Sequence, residues 1–162
     1  LTVIDTPGHA PHHSSYIYEL AGRRILFAGE AAGCWFRCDD GSCFMRPATP
    51  HKFFYDRAVA SLNRLRALED IDVVCFPHSG YLEDASKVFD RAAEQMKLWL
   101  SVLSALPAGT SPEDAVLALL ANDPVLANLE KMPEAVRKRE EFFIGQSVKG
   151  YLGWIERERN GV

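Results

Sequence analysis

The chain has 162 residues, 48% hydrophobic and 25% charged, which suits one globular domain, or one domain with an appendage, and is long enough to bury a core. A net charge of -4 and a pI of about 5.7 give no electrostatic reason to expect nucleic acid or an anionic membrane as a partner. No apolar run approaches the ~18 residues needed to span a bilayer, and nothing resembles a secretory signal.

In chain order, Leu1 to Asp5 is a short β-branched run stopped by Thr6-Pro7-Gly8, which reads as a strand entering a turn. Because the sequence opens with Leu1 inside that strand, rather than with Met, it is expected to be a fragment or a processed chain. Ser14 to Leu20 and Arg24 to Gly29, joined by Ala21-Gly22-Arg23, read as a hairpin whose second strand is apolar enough to be buried. Gly33 to Pro50 has no period and reads as a loop.

From Phe53 to Leu68, the positions Phe54, Ala58, Leu62, Leu65 and Leu68 follow helical spacing. Ile71 to Phe76 is a second buried-type strand, ended by Pro77-His78-Ser79-Gly80. A further helix is predicted from about Asp84 to Leu106, with Val88, Ala92, Met96, Leu100 and Leu103 on one face. This order indicates an α/β or α+β layer structure with helices packed on a sheet. After Pro107-Ala108-Gly109 the composition shifts. Ser111-Pro112-Glu113-Asp114 is a helix start, with an N-cap, Pro in the first turn and acids behind it. Residues 109–162 are expected to form a helical extension to a domain of residues 1–108, with breaks at Asp123-Pro124 and Met132-Pro133. Phe142, Phe143, Tyr151 and Trp154 fit the apolar face of its last helix, and the charges of KMPEAVRKREE read as a solvated face.

Three loops at strand ends carry chemistry: His9 after Thr6-Pro7-Gly8, Glu30 after Ala28-Gly29, and His78 after Pro77. Imidazole and carboxylate together suit zinc, iron or manganese. TPGHAPHH, LFAGEAAG and CFPHSG, in this order, resemble the last three motifs of the metallo-β-lactamase superfamily, across roughly residues 1–105. RPATP, followed by a helix and a strand ending at His78, is similar to generic hydrolases of that fold. The resemblance implies an αβ/βα sandwich of which this sequence is the C-terminal half, in the broad class of glyoxalase II-like enzymes. It implies His9 as a ligand of a first metal, Glu30 where the family has a bridging Asp, and His78 as a ligand of a second metal. His13 falls at a position that supports a ligand or faces substrate, and His12 has no assigned role. The cofactor implied is a divalent metal, zinc foremost with iron or manganese as alternatives, as one or two ions.

Two departures stand out. The superfamily's H-x-H-x-D-H signature, which carries most remaining ligands and the residue that orients the nucleophilic water, is absent from these residues. Glu30 replaces Asp, and its extra methylene moves the carboxylate by about 1.5 Å, against tolerances of ~0.2 Å for metal ligands. The resemblance thus implies metal-assisted hydrolysis of a small-molecule ester or thioester by the intact parent, and an inactive chain by itself. The competing readings are a half-domain acting as a binding or oligomerisation module and an iron-binding redox protein of the same fold. Homo-oligomers through an exposed sheet face or the helical extension are expected.

Other residues allow two readings each. Cys34, Cys38 and Cys43 could form a soft-metal cluster, although they lack a C-x-x-C pair, or be loop thiols near a substrate entrance, whereas Cys75 reads as a core thiol. Four cysteines are too few for a disulfide scaffold at this length, so free thiols in a reducing cytoplasm are the expectation. Arg46 could clamp an anionic group or pair with Asp39 or Asp40. Trp35, Phe36 and Phe44 either line an apolar pocket or pin their loop to the core.

Overall fold

A computed structural model describes residues 1–78, 80–83 and 85–161. The elements are β1 (Thr2–Asp5), β2 (Ser14–Leu20), β3 (Arg23–Phe27), β4 (Cys34–Arg37), β5 (Cys43–Arg46), α1 (Tyr55–Arg66), β6 (Val73–Phe76), β7 (Gly80–Leu82), α2 (Ala85–Ser104), α3 (Pro112–Asn122) and α4 (Glu134–Asn160). Two 3-10 turns, Gly29–Ala32 and Leu126–Lys131, lie between them. Among the described residues, no helix is long and apolar enough to cross a membrane.

A five-stranded sheet runs in the order β1-β2-β3-β6-β7. β1, β2 and β3 pair antiparallel, β3 and β6 parallel, and β6 and β7 antiparallel. Ala21 and Gly22, both at positive φ, form the two-residue turn between β2 and β3, the geometry that matches the twist of a hairpin. The parallel pair β3 and β6 needs a crossover, which runs through β4, β5 and α1.

The register divides the sheet into two unlike faces, because successive side chains alternate. Ile17, Leu26, Val74 and Leu82 form one row across four strands. That row joins a core with Leu62 and Leu65 of α1 and with Val88, Phe89 and Ala92 of α2. The next row, Val3, Tyr16, Phe27, Cys75 and Tyr81, points the other way. Val3, Tyr16, Phe27 and Tyr81 are all exposed there. The thiol expected in the core, Cys75, therefore lies half-buried on the open face.

Three expectations change. The segment read as a loop contains an antiparallel ribbon, β4 with β5, in which Cys34, Trp35 and Phe36 face Arg46, Met45 and Phe44. It lacks a period because almost every side chain is buried, on both faces. The ribbon pins Trp35, Phe36 and Phe44 into the core, with Trp35 beside Phe76 at 6.0 Å. Phe54, placed on the apolar face of α1, is exposed under the guanidinium groups of Arg57 and Arg157. Phe142 and Phe143 are also exposed, so only Tyr151 and Trp154 of the predicted terminal face turn inward.

Residues of α3 and α4, including Leu119, Ile144 and Tyr151, belong to the same continuous core as the sheet. Ser111 caps α3 through the backbone N–H of Asp114, with Pro112 in the first turn. The buried Asp123 at the end of α3 accepts hydrogen bonds from Gln95 and Trp99, each at 2.8 Å, and so ties α3 to α2.

Candidate functional site

β1 and β3 both run antiparallel to β2, and β6 runs parallel to β3, so β1, β3 and β6 point the same way. Their C-terminal ends therefore share one end of the sheet. That is why residues from three distant loops meet: the His9 Nε2 lies 2.6 Å from Glu30 Oε2, and the His78 Nε2 lies 3.7 Å from Glu30 Oε1. His78 holds a left-handed backbone at φ +71, a conformation unusual for a residue with a side chain and concentrated at functional sites.

The histidines differ in their support. His9 Nδ1 lies 3.2 Å from the Ala48 carbonyl, which fixes the ring and directs Nε2 at Glu30. The hydrogen bond to Glu30 raises the His9 pKa from its ordinary value, against the opposing effect of burial. The same bond holds the Glu30 carboxyl below its ordinary value. Both shifts favour the imidazolium–carboxylate form of the pair.

His13 faces the backbone instead. Its Nε2 accepts from the Glu30 N–H at 3.1 Å, so the ring proton belongs on Nδ1, which donates to the Thr6 carbonyl at 3.1 Å. Nδ1 is also 2.8 Å from the Thr6 hydroxyl, which bonds to Ser15, which donates in turn to the Ala28 carbonyl. Burial lowers the His13 pKa and keeps the ring neutral, as this arrangement requires. His13 does not meet the other donors through its ring nitrogens; it holds the main chain at Glu30. His12 is exposed.

These three loops open into a cleft of about 290 Å³ whose opposite wall is α4. Arg46 faces that cleft, but its carboxylate partner is neither Asp39 nor Asp40. Arg46 Nε donates to Glu140 Oε2 at 2.6 Å, and the pair is almost fully buried. Asp40 pairs with Lys131 at 3.0 Å. Glu140, read as part of a solvated face, is one of the most buried side chains of the protein. Sequence reasoning missed it because its partner lies 94 residues away.

A divalent ion would make two demands of these donors, chemistry and geometry. Their chemistry suits one: His9 presents Nε2 with Nδ1 turned to a carbonyl, the usual support of a metal-bound histidine. The donors among the described residues are too few to complete a shell, and two of them are bonded to each other. Two ligands sharing a tetrahedral ion at ~2.1 Å stand about 3.4 Å apart, so the 2.6 Å between His9 and Glu30 is a direct bond. Among the described residues, no group of three His, Cys, Asp or Glu side chains converges to hold an ion. The cysteines do not complete a set, since no such group among the described residues includes them; burial pushes the Cys34 thiol up to about 11.

Comparison with solved structures finds a metallo-beta-lactamase family protein from Thermus thermophilus, 21% identical, with a TM-score of 0.58. The match covers 98% of this chain and 44% of that one, so this chain spans less than half of its neighbour's length. At this identity the likeness shows the fold: a mixed α/β arrangement of metallo-β-lactamase type. No family model and no curated protein matches the sequence.

Proposed function

We propose that the cleft at the ends of β1, β3 and β6 is the C-terminal side of a metal-dependent hydrolase centre. Its work would be the hydrolysis of an ester or thioester in a small molecule. The observation that carries this reading is the placement of His9, Glu30 and His78 at three strand ends on one end of a metallo-β-lactamase-type fold, with each histidine within 4 Å of the Glu30 carboxylate. A bound divalent ion, zinc foremost, would supply a water activated near neutral pH. His9, Glu30 and His78 would be this chain's donors, with Ala48 and His13 holding the first two in place. Since these donors fall short of a shell, the remaining ligands would lie outside these 162 residues, and the chain alone would be inactive.

Zinc titration of the metal-free chain tests the proposal. The expected result is weak binding of about one ion per chain, lost in His9→Ala and in His78→Ala. Unchanged zinc content in both variants would refute the ligand assignment. A second reading, a non-catalytic binding or oligomerisation module, is favoured by the row of exposed apolar residues on the open sheet face. Absence of any zinc binding would leave that reading in place of the first.

A further inference from the structure

The cleft wall facing the donors carries a cluster of three charged side chains. Glu140 is shared by two arginines: Arg46 Nε donates to Oε2 at 2.6 Å and Arg139 Nε donates to Oε1 at 3.0 Å. The two guanidinium groups meet one carboxylate, so this cluster keeps one positive charge in excess. The other charged groups lining the cleft are His9, Glu30 and His78, and Glu30 is already bonded to His9.

Both arginines spend their Nε edge on Glu140. Arg46 turns one terminal nitrogen to the Pro47 carbonyl at 3.3 Å. Among the described residues, the other terminal N–H groups of Arg46 and those of Arg139 have no hydrogen-bond acceptor. The two guanidinium planes are held rather than free. Arg46 lies 5.1 Å from the Phe143 ring centre, and Arg139 lies 5.3 Å from that of Phe36. Phe36 and Phe143 also line the cleft, so the open guanidinium edges stand beside apolar ring surface.

We infer that this wall is a binding subsite for a carboxylate attached to an apolar group, with Arg46 and Arg139 as its anion-binding residues. A planar fork of N–H groups matches a carboxylate, and one excess charge matches a monoanion. Resting on the proposed hydrolase reading, the inference makes the substrate an ester or thioester that carries a free carboxylate. The carboxylate anchors on α4 and β5 while the scissile carbonyl faces His9, Glu30 and His78. Binding of the carboxylate itself does not depend on a metal.

The experiment is an NMR titration of the metal-free 162-residue chain with phenylacetate and with its neutral analogue phenylacetamide, alongside a separate zinc titration. Phenylacetate is expected to bind at least about tenfold more tightly, the scale of a charge-assisted hydrogen bond. Arg139 is half-exposed, so Arg139→Gln can fold, and it should remove that preference by weakening phenylacetate much more than phenylacetamide. Arg139→Lys, which keeps charge and loses the fork, should recover part of it. Equal binding of both compounds, binding of neither, or an unaltered preference in Arg139→Gln overturns the inference. Zinc binding with no carboxylate preference defeats the subsite alone. A carboxylate preference without zinc binding defeats the metal reading alone and leaves the subsite standing.

Discussion

Glu140→Leu isolates what the buried charge cluster contributes to the fold. Arg46 and Glu140 are 5% and 1% exposed, on strand β5 and helix α4 respectively. The substitution leaves the Arg46 guanidinium buried with the Pro47 carbonyl as its remaining hydrogen-bond acceptor. Removing one partner of a buried ion pair costs about 3–5 kcal/mol, a large share of the roughly 5–15 kcal/mol that stabilises a domain. Arg139 can turn to water and adds little to that figure. The double variant Arg46→Met/Glu140→Leu removes both charges and restores apolar packing, so it should regain most of the loss. The exposed pair Lys138–Glu134, one helical turn apart on the same helix, provides the control. Its removal should cost about 0.5 kcal/mol or less. Urea unfolding followed by far-UV circular dichroism gives the midpoint and slope for each variant. A loss under about 1 kcal/mol in Glu140→Leu, or a double variant no more stable than the single one, refutes the reasoning.

Three further outcomes are expected. Gly29→Ala places a Cβ onto the His13 ring at a backbone φ of +53, so it should cost about 1–3 kcal/mol and speed hydrogen exchange at the Glu30 amide; unchanged protection there would show that His13 does not hold it. For the His9–Glu30 pair, the raised His9 pKa gives stability that is full below the ordinary 6.5 and lost as pH rises through the folded value. The lowered Glu30 pKa gives stability that is present above the ordinary 4.5 and lost as pH falls through the folded value. The urea midpoint of the metal-free chain should therefore hold a plateau between these limits that Glu30→Gln flattens, and an identical profile in that variant would count against the pair. The open row of Val3, Tyr16, Phe27 and Tyr81 should drive concentration-dependent association in sedimentation, suppressed by Tyr16→Lys with Phe27→Lys, whereas a wild-type monomer at high concentration would contradict it.

What the sequence made legible, and what it concealed, follows from the range of the interactions. β2, β3, α1, β6 and the Ser111-capped start of α3 were readable because local spacing and turn chemistry specify them. The ribbon of β4 and β5 was not, because burial on both faces erases alternation, and the three residues of β7 are too short to show any. Within the site, the sequence supplied His9, Glu30 and His78 as residue types at strand ends. Only the common direction of β1, β3 and β6 explains why they share one end of the sheet. The pairing of Arg46 with Glu140 lay beyond local pattern, since Glu140 sits among lysines and arginines that read as solvated. The same blind spot conceals α4 as a wall of the cleft. A helix classed as an extension by composition supplies Arg139, Glu140 and Phe143 opposite the donors. Its placement makes the cleft a composite of sheet ends and helix, so changes in α4 should alter what the cleft binds without touching a single proposed metal ligand.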